Sequence, residues 1–165
     1  MKKLVLFASV MFLSGAAFSQ LSGTYTIYGT TPDYATIQDA CTDLQTSGQS
    51  GPSISNIRDA AHPDVITLNA VTGNSATNTI TFQSESADST AVSVSSSTSN
   101  TFTFTDVNYV NFNNINLVFT GPFGEAVRFN NTGYGVSFSN TSLFYNSING
   151  TEAIHVNSNS DVNDF

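Results

Sequence analysis

The sequence predicts an all-β solenoid, a parallel β-helix closed at its N-terminal end by one amphipathic helix. Three observations carry that expectation. Apolar residues recur at an interval drifting between 25 and 27 positions, they alternate with polar residues in bursts of three to five, and a single stretch of helical periodicity precedes all the repeats.

The clearest repeat is "GEAVRFNN" at 124–131, which returns as "TEAIHVNS" at 151–158. Glu125, Ala126, Val127, Arg128, Phe129 and Asn130 thus match Glu152, Ala153, Ile154, His155, Val156 and Asn157 at an offset of 27. At an offset of 26, Val110 matches Val136, Phe112 matches Phe138, Asn114 matches Asn140, Leu117 matches Leu143, and Val136 matches Val162. Phe102 and Phe104 precede Val127 and Phe129 by 25.

Within each unit the bursts "TFTFTD", "VNFNN", "AVRFN", "VSFSN" and "AIHVN" alternate apolar with polar residues, which is the period of a strand with one buried face. A unit this short cannot bury its own face and must stack on a neighbour. Three short strands per turn describe a parallel β-helix, with like residues above one another at the normal strand spacing of about 4.8 Å. A propeller would need longer blades, and a sandwich needs no constant period.

The elements follow in order. Residues 1–19 read as a secretory signal: Lys2 and Lys3, an apolar run from Leu4 to Leu13 too short to span a bilayer, then Ala17 and Ser19 before a cut at Gln20. Residues 20–52 hold a first strand, "GTYTIYG", and a capping helix in "TPDYATIQDACTDLQTSG". Tyr34, Ile37, Cys41 and Leu44 form its buried stripe, Asp33 is placed to cap it, and Gly48 ends it. Cys41, the only cysteine, sits on that stripe as a core residue without nearby positive charge, and no intramolecular disulfide can exist.

Residues 53–165 are the coils, incomplete at the C-terminus because Val162 begins a new repeat. Asn114 with Asn140, and Asn130 with Asn157, fall at equivalent corners, where asparagine tolerates left-handed backbone and its amides can stack. The sequons at Asn130, Asn140 and Asn149 are read as such corners rather than glycosylation sites. Thirteen phenylalanines in the sequence argue against disorder.

Beyond the signal, only Arg58 and Arg128 remain as strong cations against twelve Asp and Glu, a net charge of −10. Nucleic acid and anionic membranes are bound through clustered Lys and Arg, so both are excluded as partners, and no membrane span is expected.

"DYATIQDA" followed by a β-coil resembles the opening of the pectate lyase and pectinesterase superfamily of right-handed parallel β-helix proteins. "LSGTYTIYGTTPDYATIQDA", "SGPSISNIRDA" and "VTGNSATNTITFQSESADSTAV" are similar to the start of large secreted β-helix proteins of Gram-negative bacteria that use type IX secretion. The resemblance runs from Leu21 to Val94 in motif and to Phe165 in repeat style. It implies a right-handed coil, a secreted or outer-surface location, and further coils or a sorting domain beyond "SDVNDF". Where such proteins carry a Gly-Thr-Tyr turn and an acidic residue before the second strand, this chain has "DAAHPDVITL", which predicts a distorted first coil.

The resemblance does not carry catalytic residues over. Motifs like Gly-Asp-Phe-Ile-Phe-Gly and Leu-Gly-Arg-Pro-Trp of the pectinesterases do not occur, and there is no tryptophan. A lyase base could only be Arg128 or His155. With Val127 and Phe129 inward, Arg128 points outward with His155 on the next coil, and Glu125 and Glu152 lie three residues before them. Glu125, Arg128, Glu152 and His155 are therefore the candidate carbohydrate-contacting residues.

His62, before Pro63, reads as a solvated loop residue. "NSNSDVND" alternates oxygen ligands as calcium loops do but lacks the glycine and closing glutamate of an EF-hand, so no cofactor is assigned beyond a calcium candidate there. Three readings stay open: a non-catalytic extracellular module for adhesion or polysaccharide contact, the N-terminal part of a polysaccharide lyase or esterase, and a structural stub without ligand.

Overall fold

A computed structural model describes residues 19–131, 134–145 and 152–156. The signal segment before Ser19, the sequon at Asn149, Asn157 with Val162, and the oxygen-rich stretch 157–164 lie outside the described residues. The first turn comprises β1 (Leu21–Ile27) and α1 (Ile37–Ser47), and the second β2 (Gln49–Ile57), β3 (Ala60–Pro63) and β4 (Ile66–Leu68). The third holds β5 (Ile80–Ser84), β6 (Val92–Ser96) and β7 (Phe102–Thr105); the fourth β8 (Val110–Asn113), β9 (Asn116–Phe119) and β10 (Val127–Asn130). The last comprises β11 (Ser137–Ser139), β12 (Ser142–Tyr145) and β13 (Ile154–Val156).

Each turn after the first contributes one strand to each of three parallel sheets. The first sheet is β1-β2-β5-β8-β11, the second β3-β6-β9-β12, and the third β4-β7-β10-β13. This is the predicted all-β parallel β-helix, of about five turns. In the first turn α1 replaces the other two sides, packing on β4 and against β1 and β2.

Alternation fills the interior. Phe82, Phe112 and Phe138 follow one another along the first sheet with ring centroids 5.8 and 5.0 Å apart. In the third sheet Phe104 stacks on Phe129 at 5.2 Å, and Phe102 meets Phe112 edge-on at 5.3 Å across the core. Offset and edge-to-face aromatic pairs add about 0.5 to 1.5 kcal/mol each beyond their burial, so a column of repeated Phe also pins the register.

The matched positions do pair: Phe102 with Val127, Phe112 with Phe138, Leu117 with Leu143, and Arg128 with His155. The interval is wider than the sequence suggests. Val94 pairs with Leu117, 23 positions on, whereas Ile66 pairs with Phe102, 36 positions on. Surplus residues leave the barrel between the strands as loops, chiefly 69–79 and 85–91, while the strands stay in step. The distortion expected at "DAAHPDVITL" is absent, since β3 and β4 keep unbroken parallel register with β6 and β7.

Corners show what asparagine contributes. Asn114 and Asn140 are both left-handed, at φ 53° and 48°, and the Asn140 amide donates to Asn114 Oδ1 at 2.7 Å. At the other corner the expectation moves by one residue. Asn131, not Asn130, takes the left-handed position, above Asp106 in the same conformation, because Asn130 is still paired in the strand with Thr105.

The helix cap also needs correction. Thr36 caps α1 by accepting from the Asp39 N–H at 3.1 Å, and the Asp39 carboxylate accepts the Thr36 N–H at 3.1 Å in return. Asp33 lies too early to reach that turn. It accepts instead from the Thr26 N–H at 2.7 Å and the Thr26 hydroxyl at 2.9 Å, which hold its carboxyl below the usual range. Tyr34 precedes the helix, bridging to Ile27 and donating its hydroxyl to Asp43 at 2.6 Å. Ile37, Ala40, Cys41 and Leu44 face the core, and complete burial pushes the Cys41 thiol far up, leaving it inert.

The second turn buries small polar residues where the third buries Ile80 and Phe82. Ser53 and Ser55 pair with Ile80 and Phe82, and the Ser53 hydroxyl is buried without a hydrogen-bond partner. Desolvating an unpaired hydroxyl costs about 1 to 3 kcal/mol. Ser53→Ala is therefore expected to raise stability by about 1 kcal/mol, read as a higher urea midpoint with unchanged slope.

Candidate functional site

The outer face of the third sheet carries one residue per turn in register: Thr67, Thr103, Arg128 and His155. The inward neighbours Val127 and Phe129 are fully buried, so alternation turns Arg128 outward, and parallel pairing places the His155 backbone about 4.8 Å from it.

The two carboxylates are not equivalent. Glu125 is only 5% exposed, at the end of the loop leading into β10. Its N–H donates to Asn100 Oδ1 at 2.9 Å, and its carbonyl accepts the Thr101 N–H at 3.0 Å. Its carboxylate accepts Arg128 Nη1 at 3.3 Å on both oxygens, while Arg128 Nε donates to Asn130 Oδ1 at 3.3 Å. Glu125 thus holds the guanidinium in place and is not itself open to a ligand. Glu152 is 71% exposed and stands 3.8 Å from His155 Nδ1, an ion pair only when the imidazole is protonated. The structure therefore brings all four residues together, with three facing outward and one acting as a buried anchor.

His62 is a correction. It lies in β3, 8% exposed, with Nε2 3.0 Å from the Arg58 carbonyl and its ring edge-to-face with Tyr28 at 5.2 Å. Pairing with Val94 turns it away from solvent, which a reading of "HP" as a loop could not anticipate.

Tyr28 is a residue the sequence reading missed. It is 49% exposed and directly follows the buried Ile27, so the alternation of "YTIYG" contained the signal for an outward aromatic. No protein-family model, curated protein or solved structure matches this chain. Among the described residues no group of three or more His, Cys, Asp or Glu could hold a metal ion, and no helix is long and apolar enough to cross a membrane.

Proposed function

We propose that this chain is a secreted, non-catalytic β-helix module of the type IX secretion kind, which contacts extracellular polysaccharide through the outer face of its third sheet. The observation that carries this reading is the register of Arg128 with His155, where the guanidinium is already oriented by the buried Glu125. The held guanidinium and the imidazole on the neighbouring strand suit the ring and hydroxyl oxygens of one sugar, and the exposed Glu152 accepts a hydroxyl hydrogen beside them. A stacked scaffold repeats such contacts at strand spacing.

Replacing both residues by alanine would strand the Glu125 carboxylate without its partner, so the informative variant is Arg128→Gln with His155→Ala, whose amide still donates to Glu125. For those oligosaccharides of a bacterial and plant array whose binding shifts the NMR signals of Arg128 and His155, this variant is expected to lose binding at least about tenfold, equivalent to about 1.4 kcal/mol. Its circular dichroism should be that of the parent. Unchanged binding by the folded variant would reduce the face to a solvated ladder of cross-strand pairs.

A further inference from the structure

We infer that Tyr28 is a preorganised platform for a neutral oligosaccharide, forming a second glycan subsite on residues separate from the third-sheet face. The ring stands between two clefts. One, of about 400 Å³, is lined by Tyr28, Gly29, Arg58, Asp59, Glu85 and Ser86. The other, of about 200 Å³, includes Tyr28, Thr36, His62 and Asp64. The first alone falls within the range of about 300 to 1,000 Å³ typical of small-ligand sites.

The backbone beneath the ring is strained, and the strain is held in place. Tyr28 has φ 70° and Thr31 φ 46°, left-handed conformations that bulky and β-branched residues avoid. Such outliers cost about 1 to 3 kcal/mol each and persist only where surrounding contacts impose them. Arg58 imposes them here: Nη1 donates to the Tyr28 carbonyl at 3.1 Å and to the Thr30 carbonyl at 2.7 Å, while Nε donates to Glu85 Oε2 at 3.2 Å. Gly29 permits that approach, because a Cβ there would stand 3.1 Å from Arg58 Cδ. One of the two arginines beyond the signal is thus spent on presenting an exposed tyrosine, and the edge-to-face contact with His62 fixes the ring.

The surroundings select the ligand. The apolar C–H face of a pyranose fits an aromatic ring, and its hydroxyls donate to carboxylates. Asp59, Glu85 and Asp64 line the two clefts, and the single guanidinium among them is already bonded to Glu85 and two carbonyls. Asp59 is itself oriented, accepting the Ser86 hydroxyl at 2.7 Å. This excess of negative charge repels uronates and other anions, and a neutral, hydroxyl-rich chain supplies the donors that the carboxylates accept and the C–H face that the ring accepts.

Binding of the full chain to cellohexaose, maltohexaose and chitohexaose tests the inference, with oligogalacturonate and a chitosan hexamer as charged comparisons. At least one neutral hexamer is expected to bind and to shift the NMR signals of Tyr28, Asp59 and Ser86. Tyr28→Asn keeps a residue that tolerates the left-handed backbone and should lose that binding tenfold or more, whereas Tyr28→Phe should stay within twofold. The bound hexamer should leave the NMR signals of Arg128 and His155 unshifted, which separates this subsite from the third-sheet face. The inference is overturned if no neutral hexamer binds, if a charged oligomer binds more tightly, or if binding survives in Tyr28→Asn. Signal shifts in the parent that bypass Tyr28 overturn it without reference to any variant.

Discussion

Phe112→Ala is expected to cost about 3 to 5 kcal/mol of stability, the largest effect of any single aromatic truncation in this chain. Phe112 is fully buried in β8 and touches four other rings: Phe82 and Phe138 along its own sheet, and Phe102 and Phe104 across the interior. Strands above and below fix the backbone, so the space cannot collapse and the cavity term is felt in full. Phe123 provides the contrast. It is 69% exposed, and Phe123→Ala should change stability by no more than about 0.5 kcal/mol. Urea unfolding of the two variants beside the parent decides the matter, and equal midpoints would contradict the aromatic column as the source of stability.

Gly73→Ala is the second large expected effect, and it acts through the backbone. Gly73 has φ +88° in the loop between β4 and β5, and a Cβ there would collide with the carbonyl oxygen of the buried Gln49. That carbonyl cannot retreat easily, since the Gln49 N–H is bonded to the Thr72 carbonyl at 2.8 Å. The expected loss is about 3 kcal/mol, combining left-handed strain with displacement of the loop. Gly23→Ala separates the two contributions: its φ is +99°, yet nothing lies within 4 Å of the added Cβ, so only strain of about 1 kcal/mol remains. Comparable losses in both variants would show that the collision is relieved at little cost.

The fold was legible because its information is repeated. Alternation in "TFTFTD", "AVRFN" and "AIHVN" states one strand position three times, and the pairings of Phe102, Val127 and Ile154 reproduce it. Asn114 and Asn140 were legible for the same reason. Features stated only once were not. A capping threonine at Thr36 and an acidic residue at Asp33 are both acceptable helix starts, and the reach to the third backbone N–H decides between them.

His62 and Glu125 were misjudged in exposure, because burial there depends on what a neighbouring turn places overhead. Of the third-sheet face, the register of Arg128 with His155 was visible in the repeat, whereas the locking of Glu125 onto Arg128 was not. Tyr28 escaped for a further reason. A left-handed tyrosine has no signature in composition, and the arginine that imposes it stands 30 positions away.

The wide spacing between paired strands also governs how this molecule must form. Every paired strand of the coils finds its partner 23 to 36 positions away, so no pair can close as a hairpin. The first two stacked turns must pay loop-closure entropy several times over before any sheet exists, whereas each later turn needs only to lay its strands on a finished template. Assembly of this kind has a slow nucleus and rapid growth, like a crystal adding layers. Because α1 forms from contacts within eleven residues and packs on β4, the helical end is the natural seed, and the chain would order from there one rung at a time.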